Sequence, residues 1–99
     1  MQESINSVID TVTSQLDDSP MKDLLSSALK SCADERMSEL EMLLMAKKQG
    51  QLSEDEFQLE LDRERLLVEA EMLTWKIAAK ADVQKVVNKT FHALAKTIL

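Results

Sequence analysis

Apolar positions recur along most of this chain at the three- and four-residue spacing of an α-helix. Ile5, Val8, Ile9, Val12 and Leu16 form one such stripe and predict a first helix over residues 5–16. Asp17-Asp18-Ser19-Pro20 interrupts it, with Ser19 placed to cap and Pro20 to open a second helix. That helix is expected over residues 20–49, with a weakness between Ser31 and Asp34. Its apolar face is Met21, Leu24, Leu25, Ala28 and Cys32 at first, then Leu40, Leu43 and Leu44. The shift is about 100° on a helix of 3.6 residues per turn, so the two halves are expected to touch different neighbours.

Gly50-Gln51-Leu52-Ser53-Glu54-Asp55-Glu56-Phe57 spells a helix end, a turn and a helix start. Gly50 supplies a left-handed residue without a steric penalty. Ser53 and Glu56 are spaced as a capping box, and Leu52 and Phe57 flank it as a hydrophobic staple. The third helix is expected over residues 54–81 with two apolar stripes. One holds Phe57, Leu61, Val68, Met72, Trp75 and Ala79. The other, nearly opposite, holds Leu59, Leu66, Ala70, Leu73 and Ile77, so the helix is expected to be sandwiched. A last amphipathic helix over residues 83–98, capped by Asp82, turns Val83, Val86, Val87, Phe91, Leu94 and Ile98 inward and Lys85, Lys89, His92 and Lys96 outward.

Composition supports an all-α domain. One Gly and one Pro among 99 residues leave little turn chemistry for a β-protein, and 44% apolar with 30% charged residues suits a globular chain. No apolar run approaches the roughly 18 residues of a membrane span. The first residues do not resemble a signal peptide, and lone Cys32 has no internal disulfide partner, so a cytoplasmic setting is expected.

Net charge is −6, unevenly spread. Residues 1–33 carry net −3, residues 34–75 net −7, and residues 76–99, with five Lys against Asp82, net +4. The basic last helix is expected to make intramolecular ion pairs with the acidic hairpin.

Candidate chemistry is thin. The Gly50 turn matches the second half of an EF-hand loop, but Met45, Lys47 and Gln49 stand where oxygen ligands are required, so calcium binding is not expected. The turn is also similar, over about eight residues, to short oligomerisation modules with a G-x-I-T-x-E-E-F hairpin. Leu66-Leu67 departs from that family's spacing. Phe91 to Lys96 is weakly similar to the helix of histidine phosphotransfer domains, which place Lys and Gly where this chain has Ala95 and Lys96. His92 is therefore taken as a solvated residue of the basic face. One His and one Cys assemble no persuasive nucleophile set, and Glu60 with Glu64 lacks the Glu-x-x-His partner of di-metal bundles.

These patterns predict a single all-helical domain. A long antiparallel hairpin carries a shorter helix at each end and is completed by homodimerisation. No catalysis, cofactor or metal is expected. The expected function is protein–protein contact by a small acidic regulator, inhibitor or assembly chaperone, through Met42, Met45 and Leu59. The alternative is an acidic nucleic-acid mimic built on Glu54, Asp55, Glu60 and Glu64. Direct nucleic-acid binding by Lys85, Lys89 and Lys96 is not expected, because three charges without aromatic residues make a small footprint on an acidic chain.

Overall fold

Five helices and no strands make up the structure, a computed structural model that describes residues 2–16, 20–76 and 78–97. They are α1 (Gln2–Ser14), α2 (Pro20–Glu35), α3 (Met37–Lys48), α4 (Glu54–Thr74) and α5 (Lys80–Thr97). α1, α2, α4 and α5 pack around one core in the cyclic order α4, α5, α1, α2, with α2 and α5 also touching across it. α3 continues beyond α2 and leans on α4.

The stripe of α1 buries Ile5, Ile9 and Val12, with Val8 and Leu16 partly covered. The helix ends at Ser14 rather than Leu16. The Ser14 hydroxyl donates to the Thr11 carbonyl at 2.7 Å, and the Gln15 and Leu16 amides fall back on carbonyls three residues earlier. Such back-bonding and tightening end regular helix. The predicted cap, Ser19, lies outside the described residues, while Pro20 does open α2.

The long second helix is broken, but at Arg36 instead of within 31–34. Arg36 leaves helical geometry (φ −103, ψ 8), and its amide bonds to the Ala33 carbonyl at 3.0 Å. Neither Gly nor Pro stands there. The break accompanies the 100° change of face: α2 buries Leu25, Ala28, Leu29, Cys32 and Ala33, whereas α3 buries Met37, Leu40 and Leu44. Met21 and Leu24, assigned to the buried face, lie exposed because that face is centred farther round, on Leu25, Leu29 and Cys32.

The turn forms as predicted. Gly50 has φ +75. The Glu56 amide donates to Ser53 Oγ at 3.1 Å, and the Ser53 amide donates to Glu56 Oε1 at 3.0 Å. The bond from the Ser53 amide, then that with its hydroxyl, holds the Glu56 carboxyl below its usual pKa. Phe57 is buried and Leu52 partly covered. Ser53→Ala should lower stability by about 1 kcal/mol, read as a lower urea midpoint at unchanged slope. A midpoint equal to wild type would show that the cap contributes nothing.

α4 stops at Thr74, well short of residue 81. Lys76 sits in the left-handed region at φ 53, with its amide on the Leu73 carbonyl at 3.3 Å. That conformation costs a non-glycine residue about 1 kcal/mol and ends the helix. Trp75 and Ala79, expected on the buried stripe, are therefore exposed; Ile77 and Ile98 lie outside the described residues. α5 begins at Lys80, so Asp82 is not its cap. It occupies the first turn, where a carboxylate favours the helix dipole. The inner face of α5 buries Val83, Val86, Val87, Phe91 and Leu94 as predicted.

Candidate interaction surface

Only one of the two stripes of α4 is covered. Phe57, Leu61, Val68 and Met72 are buried, whereas Leu59 and Leu66 are 58% and 49% exposed and Ala70 is open; Leu73 is partly covered. Leu59 and Leu66 each stand two residues from a core position, about 200° round the helix. The predicted sandwich is thus absent within one chain. Leu67 is also exposed, 100° farther round.

α3 adds two methionines. Met42 is 72% exposed and Met45 38%. Buried Leu40 and Leu44 bracket Met42 in sequence, which places it almost opposite the α3 core face. It lines a shallow groove of ≈ 350 Å³ between α3 and α4, together with Leu43, Ala46, Leu52 and Glu60. Met45 lies about 60° round α3, away from the groove-lining side, and Leu59 about 100° round α4 from Glu60. The three predicted contact residues therefore form no compact pocket. They mark a band that runs across α3, over the groove and onto the crest of α4.

The acidic set is less uniform than predicted. Glu64 does not belong to a surface: it is 7% exposed and takes a bidentate ion pair from Arg36, at 3.2 Å and 2.9 Å from Nη2. Hydrogen bonding to that carboxylate raises the Arg36 pKa above its ordinary value. Glu54 pairs with Lys47 at 2.8 Å and Glu60 with Arg63 at 3.3 Å. Bonds first from Lys47 and then from Gln58 hold the Glu54 carboxyl below its usual pKa. Asp55 alone of the four has no ion-pair partner among the described residues.

Sequence reasoning missed the Arg36–Glu64 pair, although a signal existed. Where α3 and α4 pack on each other about the Gly50 turn, residues equidistant from it lie near one another, and Arg36 and Glu64 are each 14 positions from it.

The expected pairing between α5 and the acidic helices is overturned. Ion pairs among the described residues join Lys30 to Asp10, Arg36 to Glu64, Lys47 to Glu54, Arg63 to Glu60, and Arg65 to Asp62 and Glu69. No lysine of α5 takes part. Lys85, Lys89 and Lys96 project outward with His92, away from the face that binds the core. Of the α4 carboxylates, Glu60, Asp62 and Glu69 are instead engaged by arginines of the same helix, Glu54 by Lys47 of α3, and Glu64 by Arg36 between α2 and α3.

Cys32 is buried, and desolvation, followed by Glu71 and Glu35, pushes its thiol up to about 11. It is held protonated and closed to substrates. Among the described residues no group of three His, Cys, Asp or Glu is arranged to hold a metal ion, and no helix is long and apolar enough to cross a membrane. Comparison with known proteins returns no matching family model, no matching curated protein and no matching solved structure.

Proposed function

We propose that the chain is a non-catalytic protein–protein interaction module: a small acidic regulator, inhibitor or assembly chaperone that acts through helical apolar faces and self-associates as a homodimer. Its α2–α3 arm and α4 serve as a long antiparallel hairpin that presents the contact band. The observation that carries this reading is the exposure of Met42, 72% open, with Leu59 at 58% on the adjoining crest. The groove beside Met42 has an apolar floor of Leu43, Ala46 and Leu52, bordered by Arg36, Glu39, Glu60 and Glu64. Large apolar groups at such density on a domain this small mark contact surfaces. Flexible methionine side chains suit adaptable contacts. The mimic reading has less support, because buried Glu64 leaves its acidic row and two of the other three carboxylates are already ion-paired.

Met42→Glu combined with Met45→Glu tests the band. Tagged wild-type and variant chains are compared by cross-linking capture in the native cell, with circular dichroism as the folding control. The expected result is a captured partner lost from the variant while helicity stays at the wild-type value. A variant that retains every wild-type partner removes this surface. Unfolding would assign the methionines to the core, where an unpaired carboxylate is costly.

A further inference from the structure

The outer side of the α4–α5 layer carries two opposite halves. On α4 the crest bears Leu59 and Leu66, flanked by Asp55 and Asp62 within about 60° of arc. On α5 the crest bears Lys85, Lys89, His92 and Lys96, a ridge about three turns long with no ion pair among the described residues. Between them runs a groove of ≈ 470 Å³, into which Gln58, Asp62, His92, Ala95 and Lys96 all face. A negative, apolar strip and a positive ridge thus run parallel, with His92 and Lys96 at the shared groove and Lys85 and Lys89 bordering the grooves toward α1 and α2.

We infer that this face binds a second copy of the chain, in a symmetric dimer whose two-fold axis runs parallel to the helices, so that α4 of each copy lies over α5 of the other. The inference deepens the contact-protein reading above and rests on its self-association.

Two arguments carry it. The first is sign. A two-fold axis across the helices would lay α4 on α4 and α5 on α5, with Asp55 and Asp62 opposed to their own copies and the lysine ridge to itself. Like charges so placed are repulsive. An axis along the helices exchanges the halves, so both contacts become attractive and the arrangement closes with two subunits.

The second argument is register. Arg65 donates to Asn88 at 3.0 Å, so these positions are level across the antiparallel α4–α5 pair. Counting outward from them sets Asp62 level with Phe91, one residue from His92, and Leu59 level with Leu94, one residue from Ala95. An axis parallel to the helices preserves height. Each α4 residue therefore meets the stretch of α5 already level with it: Leu59 lies within one residue of Ala95, and Asp55 and Asp62 fall within about two turns of Lys96. Leu66 lies level with Val87, between the levels of Lys85 and Lys89 on the same helix, and lysine stems cover apolar surface well. Asp62 keeps its 2.8 Å bond to Arg65, and an exposed carboxylate has acceptor capacity for a second cation. The face is two helices wide and about 20 Å long, a footprint on the order of 400 Å² that places it at the small end of specific interfaces.

Sedimentation equilibrium at tens of micromolar tests the assembly, with circular dichroism confirming the fold of every variant. Wild type should be dimeric and should weaken on the order of tenfold between about 0.05 and 0.5 M salt. Lys89→Glu with Lys96→Glu should make it monomeric, as should Asp55→Lys with Asp62→Lys. Lys89→Gln with Lys96→Gln, which adds no repulsion, should give an intermediate. The deciding chain carries both reversals together, and only the axis along the helices predicts that it dimerises again. Met42→Glu with Met45→Glu should leave the dimer intact, because the Met42 groove lies on the Glu60 and Glu64 side of α4. A wild type that stays an 11.2 kDa monomer ends the self-association reading and this one with it. A dimer that salt strengthens, or that the doubly reversed chain fails to restore, overturns this geometry and leaves self-association standing.

Discussion

Phe57→Ala should remove about 3 kcal/mol of stability, the largest loss expected from any single truncation near the turn. The side chain is 1% exposed at the start of α4, beneath the turn that joins α3 to it. Truncating a buried phenylalanine loses its transfer free energy and leaves a cavity that rigid neighbours fill only in part. The Lys47 ammonium, 5.9 Å above the ring, loses its aromatic partner as well. A domain of this size holds about 5–15 kcal/mol in total, so the melting temperature should fall by some 12 °C or more. Urea unfolding followed by circular dichroism measures the change. A loss below about 1 kcal/mol would mean that the ring does not anchor the turn between α3 and α4.

Arg36→Ala should cost about 2–3 kcal/mol, and most of that comes from the residue left behind. Glu64 keeps only about a tenth of its side chain in water, and Arg36 supplies its bidentate partner from the break between α2 and α3. Removing one member of a buried pair strands the other charge. The figure lies at or below the usual range because about a third of Arg36 is solvent-exposed, so water can reach the site once the guanidinium is gone. Arg36→Met combined with Glu64→Leu should recover most of the loss, since apolar groups of similar volume need no partner. A double-mutant cycle in urea reads the coupling directly. Additive single and double changes would show that the pair is decorative and that the break at Arg36 has another origin.

The elements that were legible in the sequence share one property: their cause acts within a turn of the chain. Gly50 adopts a left-handed conformation because it lacks Cβ, Ser53 and Glu56 satisfy each other's exposed amides, and Pro20 opens α2 where no amide is needed. The all-helical class and the inner face of α5 follow from periodicity in the same way. Among candidate contact residues, Met42 could be placed because Leu40 and Leu44 bracket a position that a single helix cannot bury along with them.

Tertiary structure alone decided the rest. Helix ends at Arg36 and Lys76 fall where no Gly or Pro stands, so they are set by which neighbours each helix must reach. Trp75 and Ala79 left the core for that reason. The two stripes of α4 are equally apolar in sequence, yet only the one facing α2, α3 and α5 is buried, because one chain has too few helices to cover both. Glu64 reads as one more surface carboxylate until the packing of α2 and α3 on α4 brings Arg36 to it. Local chemistry determined what each segment becomes. Whether a given carboxylate, lysine or leucine meets a partner or solvent depends on residues distant in sequence, and only packing brings those together.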